Sequence, residues 1–242
     1  MRTAGKHLAA VLSEVRNAVR AGVSTRELDT IAHDRILSRG CIPAFLKYKP
    51  DMHHKPFPAT LCVSVNDEIV HGIPSERILK EGDIVSLDLG LSSDGFFADS
   101  AITVPVGEIS KDKKIFLRDA EEALHLAIAQ ARAGNHIGDI GHAVESFIKP
   151  KKYGIVRDLS GHGIGRELHE SPYVPNFGKK GSGEILRAGM TIAIEPILSM
   201  GRPEMFVASD GYTCKTSDGS LAAHFEHTIL ITDGEPEILT LI

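Results

Sequence analysis

Four acidic residues and one histidine are candidate metal ligands, because each lies at or near the end of a strand-like apolar run. They are Asp88, Asp99, His162, Glu195 and Glu226. Carboxylates and imidazole are oxygen and nitrogen donors without a thiolate, and four negative charges would balance two divalent cations. The set predicts a hydrolase that uses two metal ions.

The apolar surroundings of these carboxylates favour metal binding over a decorative role. Asp88 follows the run Ile84–Leu87, and Glu195 follows Met190–Ile194. A carboxylate beside so apolar a strand is costly to bury unpaired, and a metal ion supplies the missing partner. Asp88 or Asp99 alone would more often be a turn former, so the prediction depends on the whole set.

The glycine-rich run at residues 161–165, Gly-His-Gly-Ile-Gly, surrounds the one candidate imidazole. It has neither the GK[ST] ending nor the GxGxxG spacing of nucleotide-binding loops. His169 and Glu170 do not form an HExxH zinc motif, because Tyr173 stands where the second histidine would be. Glycines around His162 instead permit close approach of metal and substrate to the backbone.

The apolar periodicity predicts which elements position these residues. Helical spacing covers residues 4–20 and 25–39, the second helix beginning after the N-cap Ser24. Short β-branched runs follow at residues 60–70 and 83–89, and residues 95–104 are predicted to be the return strand of a hairpin. Helical patterns then recur at residues 111–132 and 137–148.

This recurrence indicates an internal duplication. Ala21-Gly22 and the apolar positions of the helix that follows match Ala133-Gly134 and its helix at a displacement of 112 residues. At a displacement of 107, residues 81–88 lie over residues 188–195, and both segments are a glycine turn, a buried strand and a terminal carboxylate. We therefore expect one α+β domain over residues 1–242, with halves of about residues 5–110 and 111–242.

Composition excludes several other classes of protein. The 242 residues include 42% hydrophobic residues, enough for a full core, and the net charge of −5 comes without a dense basic run, so nucleic acid is not an expected partner. Three dispersed cysteines argue against a disulfide framework. A signal peptide and a membrane-length apolar run are both missing from the sequence, and we expect a cytoplasmic protein.

Five ordered motifs resemble type I methionine aminopeptidases over nearly the whole chain. The motifs are residues 66–74 (NDEIVHGIP), Asp88 with residues 95–100 (GFFADS), residues 161–165 (GHGIG) with 168–170 (LHE), residues 191–196 (TIAIEP) and residues 225–228 (FEHT). The resemblance implies the pita-bread fold, in which pseudo-twofold helix-helix-sheet halves form a curved, mostly antiparallel sheet covered by helices.

The resemblance also implies a role for each site residue. Asp88, Asp99 and Glu226 would hold one ion, and Asp99, His162, Glu195 and Glu226 the other, with Asp99 and Glu226 bridging. The ions would be Co, Mn, Fe or Zn, and a hydroxide between them would attack the first peptide bond. Glu195 would accept the proton of the water, while His71 and His169 would contact the substrate, His71 helping the amide nitrogen to leave and His169 steadying the carbonyl oxygen.

The implied substrate is the initiator methionine of nascent polypeptides whose second residue is small, removed near the ribosome by a monomeric enzyme. Apolar and polarizable side chains would form the methionine pocket: Tyr48, Phe57, Cys62, Leu168 and Tyr212. The loop at residues 47–56 is longer than usual in the family and is expected to relax the preference for methionine. Two alternatives remain: a proline-directed aminopeptidase or dipeptidase of the same fold, and a non-catalytic binding module.

Overall fold

The computed structural model describes residues 1–49 and 55–241. These residues form four α-helices, α1 Arg2–Ala18, α2 Thr25–Ser38, α3 Lys111–Ile128 and α4 Ile137–Ile148, and a 3-10 helix at Lys149–Lys151. Their strands are β1 Ile42–Pro43, β2 Leu61–Val65, β3 Glu68–Val70, β4 Ile84–Ser93, β5 Phe96–Pro105, β6 Gly154–Ile155, β7 Gly161–Gly163, β8 Glu170–Val174, β9 Thr191–Ile194, β10 Ile197–Ser199, β11 Met205–Val207, β12 Cys214–Thr216, β13 Ala222–His224, β14 His227–Leu230 and β15 Glu237–Ile238. None of the described helices is long and apolar enough to cross a lipid bilayer.

The strands pair in an antiparallel manner within four small sheets. One sheet has the order β1-β4-β2, with β5 paired to β4, and a second has the order β15-β14-β9-β7-β8. The other two have the orders β13-β10-β6 and β11-β12-β3. The mixture of helices and antiparallel sheets agrees with the predicted α+β class.

Each helix pair covers a sheet and forms a separate core. In the first core, Leu8 and Leu28 of α1 and α2 pack with Leu87 of β4. In the second core, Phe116 of α3 packs with residues of α4 and with Ile192 of β9. Burial of the apolar face of each helix therefore holds the two sheets that carry the candidate ligands.

The ends of two helices follow local chemistry. Ser24 caps α2 as predicted, and Glu27 reaches back to its backbone N–H in a capping box. The predicted helix at residues 111–132 was too long, because α3 ends at Ile128. Beyond it the backbone N–H of Gln130 bonds three residues back, and the side chain of Asn135 donates to the carbonyl of Gln130, which closes the helix end.

The prediction that Asp88 ends its strand was wrong, because β4 continues to Ser93. Asp88 lies opposite Cys62 of β2 on one side and Ala101 of β5 on the other, so the hydrogen-bonded ladder runs straight through it. The apolar run that precedes Asp88 is only the first half of a ten-residue strand.

Matched hydrogen bonds accompany the predicted duplication. The residue before α2, Ser24, bridges to Ile78, and the residue before α4, His136, bridges to Ile185. The two members of this pair are displaced by 112 and 107 residues, as in the sequence comparison. Likewise Gly22 N–H donates to Leu79 at 2.9 Å and Gly134 N–H donates to Leu186 at 2.9 Å. These contacts support the halves at about residues 5–110 and 111–242, and the single domain over residues 1–242 stays a prediction.

Candidate functional site

One open cleft of about 1250 Å³ is lined by every residue that the sequence analysis placed in the site. The predicted ligands among its lining residues are Asp88, Asp99, His162, Glu195 and Glu226, and the predicted substrate contacts are His71, His169, Tyr48, Phe57, Cys62, Leu168 and Tyr212. The tertiary structure therefore gathers residues that are dispersed from position 48 to position 226.

Strand alternation directs Asp88 and Asp99 into this cleft. Leu87 and Leu89 of β4 pack in the core beneath α1 and α2, so Asp88 between them faces the opposite way. On β5, Ala98 belongs to the same core and Asp99 follows it on the cleft side. Both carboxylates are buried.

A short antiparallel joint brings Glu226 beside Asp99. Glu226 and Ala101 exchange two backbone hydrogen bonds, of 2.8 and 3.3 Å. On one side of this pair, the Thr228 hydroxyl accepts from the backbone N–H of Asp99 and donates to its carbonyl, at 3.0 and 2.8 Å. On the other side, the Thr103 hydroxyl makes the same two contacts with His224, at 2.9 and 2.8 Å. The joint fixes residues 99 and 226 side by side from opposite halves of the chain.

The flanking glycines of His162 allow two strands to pass closely on either side. A Cβ atom on Gly161 would lie 2.3 Å from the carbonyl oxygen of Ala193, and one on Gly163 would lie 2.2 Å from that of Ser171. His162 Nδ1 lies 2.8 Å from the Gly163 carbonyl oxygen, so Nδ1 carries the hydrogen and Nε2 is left as a lone-pair donor. Nε2 lies 4.0 Å from Oδ2 of Asp99.

The carboxylates repel one another strongly in this apolar enclosure. Burial, followed by the charge of Asp99, raises the pKa of Asp88 well above its ordinary value. Burial raises the pKa of Asp99 to about 6, and burial with the charge of Asp99 raises the pKa of Glu226 well above its ordinary value. Buried like charges need a counter-charge, and divalent cations provide it.

The donor geometry fits such a cation. Ligand atoms of Asp99, His162 and Glu226 all lie within 4.8 Å of one another. Oδ1 of Asp88 and Oδ1 of Asp99 are buried, and neither has a hydrogen-bond partner within the described part of the chain. Oxygen and neutral imidazole donors around uncompensated carboxylates are suited to a hard or borderline divalent metal.

Glu195 lies just beyond β9 and has two partners that sequence analysis did not place in the site. The side chain of Asn176 donates to the Glu195 carbonyl at 2.8 Å. His224 Nε2 lies 3.2 Å from Glu195 Oε2. Burial by itself would raise the pKa of Glu195, but His224 outweighs it and the pKa is lowered. The only sequence signal for His224 is its position two residues before Glu226.

His71 and His169 line the cleft without joining the closest group of ligand atoms. His71 has φ of 59°, in the left-handed region that a non-glycine residue rarely adopts, and such backbone strain is concentrated at functional sites. Burial lowers the pKa of His71, and burial with the charge of His162 lowers that of His169 to about 4. Both imidazoles are therefore neutral near pH 7.

The predicted pocket residues form one apolar cluster beside the carboxylates. Phe57, Cys62 and Leu168 are buried in it, and the half-buried Tyr48 and Tyr212 pack against it. Phe45 and Ile164, which the sequence analysis did not assign, complete the same cluster. Residues 50–54 of the predicted long loop lie outside the described residues.

Comparison with known proteins agrees with this geometry. A model of metallopeptidase family M24 matches residues 1–233. Methionine aminopeptidase from Aquifex aeolicus is 46% identical over 245 residues, covering 99% of this chain and 94% of that protein. The crystal structure of methionine aminopeptidase from Thermotoga maritima has a TM-score of 0.94 at 41% identity and covers 100% of this chain and 95% of that one.

The fold is also shared with a more distant enzyme. Prolidase from Pyrococcus furiosus has a TM-score of 0.80 at 22% identity, and the match covers 100% of this chain but 62% of the prolidase. That likeness concerns the fold alone. The α+β pita-bread fold and the resemblance to type I methionine aminopeptidases are confirmed, and the family together with the ligand cluster implies a divalent metal. The chain belongs to metallopeptidase family M24.

Proposed function

We propose that this chain is a methionyl aminopeptidase, which removes the first methionine from polypeptides whose second residue is small. The observation that carries the proposal is the convergence of four buried carboxylates and His162 in one cleft, directly beside an apolar pocket. A non-catalytic module would have no reason to keep so many costly carboxylates together. The chemistry of the donor set and the full-length similarity to methionine aminopeptidases support the same activity.

The metal centre is proposed to hold two divalent ions drawn from Co, Mn, Fe or Zn. Asp88, Asp99 and Glu226 would hold one, and Asp99, His162, Glu195 and Glu226 the other, so that Asp99 and Glu226 bridge. Two dications would neutralise the four carboxylates, three of which have raised pKa values. Bound ions of this kind polarise a carbonyl group and activate a water for attack.

The residues of the chain divide the proton and charge chemistry among them. Glu195, whose pKa is lowered, stays ionised and accepts the proton of the attacking water. His71 is neutral and faces the cleft, where its imidazole can engage the leaving amide nitrogen. The free amine of the substrate completes the coordination of the centre, which restricts cleavage to the first peptide bond.

His169 is proposed to donate a hydrogen bond to the carbonyl oxygen of the scissile bond. The Tyr48 oxygen lies 2.6 Å from His169 Nδ1. Burial raises the pKa of Tyr48, so the phenol keeps its proton and can donate it to Nδ1. The hydrogen of the neutral imidazole then resides on Nε2, where it can steady the oxygen as negative charge develops.

The apolar cluster would receive the methionine side chain. Phe57 and Tyr212 meet edge to face with ring centroids 5.1 Å apart, and Cys62 lies opposite Asp88 on the neighbouring strand. An unbranched thioether packs well among aromatic rings and a thiol. A bulky second residue would collide with the wall beside the scissile carbonyl, so small second residues are preferred.

The test is cleavage of peptides by the metal-free protein reconstituted with Co, Mn, Fe or Zn in turn. We expect Met-Ala and Met-Gly starts to be cleaved, Met-Lys and Met-Leu starts to be poor, and N-acetyl-Met to resist. Equal rates on Met-Ala, Leu-Ala and Ala-Ala peptides would refute methionine specificity. Preferential cleavage of Xaa-Pro peptides would establish the proline-directed alternative, and no cleavage with any metal would establish the binding module.

The partners and location follow from the proposed activity. The substrate would be the N-terminus of a nascent polypeptide near the ribosome, met in the cytoplasm by a monomer, with neither nucleic acid nor membrane involved. Sedimentation of the metal-loaded protein would test the monomer.

A further inference from the structure

His224 is a buried imidazole that the proposed mechanism does not use. Its side chain is 2% exposed, and neither ring nitrogen makes a regular hydrogen bond within the described residues. Nε2 nevertheless lies 3.2 Å from Oε2 of Glu195 and 3.9 Å from Oε2 of Glu226. An imidazole that adjoins two buried carboxylates is not explained by packing alone.

The backbone of His224 is held in place from the other half of the chain. The hydroxyl of Thr103 accepts from the His224 N–H and donates to its carbonyl. Because side chains alternate along an extended segment, residues 224 and 226 project from the same face. The joint that delivers Glu226 to the cleft therefore delivers His224 as well.

The duplication gives this position a counterpart. The bonds between Thr103 and His224 repeat those between Thr228 and Asp99, and the backbone pair of Ala101 and Glu226 lies between them. Within this joint His224 thus takes the place in the second half that Asp99 takes in the first. Glu195 corresponds to Asp88 at the displacement of 107 residues, so His224 adjoins Glu195 as Asp99 adjoins Asp88.

We propose that His224 is a positioning residue, whose Nε2–H donates to Oε2 of Glu195 and leaves Oε1 to face the metal. An ionised carboxylate only accepts hydrogen bonds, so the nearby imidazole nitrogen must be the donor. Oε1 lies on the other side, 3.9 Å from Nε2 of His162, the nitrogen assigned to the metal. This division of the two oxygens rests on the metal centre of the proposed function.

Two further observations agree with this role. Glu195 is the one carboxylate of the four whose pKa is lowered, and the hydrogen bond and charge of His224 are the main causes that oppose burial. Asn176 fixes the Glu195 backbone by donating to its carbonyl at 2.8 Å. Backbone and carboxylate are thus held separately, which leaves Glu195 little freedom to move away from the metal.

The test compares three substitutions of His224 in the full chain. Glutamine places an amide N–H at about the same reach as Nε2, asparagine is too short, and leucine has no donor. His33→Gln is the matched control, because His33 is half-buried and does not line the cleft. Binding of Co²⁺ by calorimetry, its visible absorption spectrum and the Tm of the metal-free protein are measured without substrate.

We expect His224→Leu and His224→Asn to bind Co²⁺ roughly 10- to 100-fold more weakly, with altered absorption bands, while His224→Gln restores both properties. Parental affinity in the leucine and asparagine variants would overturn the proposal. Altered bands in the glutamine variant would also overturn it, because the imidazole itself would then be a ligand. If the leucine variant does not fold, the glutamine and asparagine pair decides. A failure of peptide cleavage would not affect these readouts, so the proposed function is tested separately.

Discussion

At the scale of single residues, the cleft contains histidines with different partners and therefore different tasks. His162 presents a bare Nε2 because its Nδ1 is occupied by the Gly163 carbonyl. His169 lies next to it, with ring centroids 4.4 Å apart, but its Nδ1 faces Tyr48. The hydrogen-bond partner of each ring thus decides whether the ring suits a metal or a substrate oxygen.

His71→Ala and His169→Ala should retain metal and lose turnover. Neither ring belongs to the closest group of ligand atoms, so metal content should stay near the parental value. Turnover should fall by roughly 10²-fold, the effect expected when an acid-base or oxyanion partner is lost. Metal analysis and kcat on Met-Ala peptides check this, with Asp99→Ala as the control that should lose both. Unchanged turnover in His169→Ala would reverse its assignment.

Tyr48→Phe should lower kcat by about 5- to 10-fold with little change in KM, the equivalent of one neutral hydrogen bond. The ring remains to pack in the pocket, while Nδ1 of His169 loses its donor. Nitrogen NMR of labelled histidine in the zinc or metal-free protein should show a larger share of the Nδ1–H tautomer. Tyr173→Phe is the control, because that ring is 76% exposed at the cleft. An unchanged tautomer would contradict the role of Tyr48.

At the scale of elements, the important contact is the joint between β5 and residues 224–228. Two threonine hydroxyls and one pair of backbone bonds connect strands from different halves. Asp99 and Glu226 both lie in this joint, so the proposed bridging ligands come from the elements where the halves meet. Their separation depends on register rather than on any loop.

Thr228→Val should lower the free energy of unfolding by about 1–3 kcal/mol and weaken metal binding. Valine keeps the shape of threonine but leaves the buried N–H and carbonyl of Asp99 without their partner. Urea unfolding and calorimetry measure the two effects. Thr30→Val, an exposed helical position with one bond to Arg26, is the control and should change stability by less than about 0.5 kcal/mol. Equal effects at both positions would contradict the joint.

At the scale of the whole molecule, the site opposes the stability of the metal-free fold. Two well-packed cores hold four carboxylates in a buried cluster that repels itself. Bound metal removes that repulsion, and any ligand that binds only the native state raises its stability. A chelator should therefore lower the Tm of the loaded protein.

Asp99→Asn should make the metal-free protein more stable while abolishing metal binding. The amide removes a buried charge whose pKa is raised from 3.8 to about 6. A carboxyl group with a raised pKa contributes full stability below its ordinary pKa and loses that contribution as pH rises through the folded value. The variant should thus exceed the metal-free parent by about 1–3 kcal/mol at pH 8, and the difference should shrink toward pH 4. Denaturant unfolding at both pH values measures it, and a parent that is the more stable at pH 8 would contradict the argument.

Local chemistry made much of this protein readable from its sequence. Ser24 begins a helix because its hydroxyl and Glu27 satisfy orphan backbone N–H groups, and both residues lie within four positions of one another. The apolar alternation around Asp99 and before Glu195 reflects strands with one buried face. Carboxylates beside such runs already indicated metal chemistry, and the five motifs indicated the family.

Contacts between residues distant in sequence were decided only by the tertiary structure. Asp88 did not end its strand, because pairing with β2 and β5 extended the ladder beyond it. His224 entered the site through a register set by Thr103, a residue 121 positions away, and Asn176 reached Glu195 across a loop. A strand pattern shows which face a side chain takes, but the partner strand and its register depend on how the two packed halves meet, which short-range periodicity does not encode.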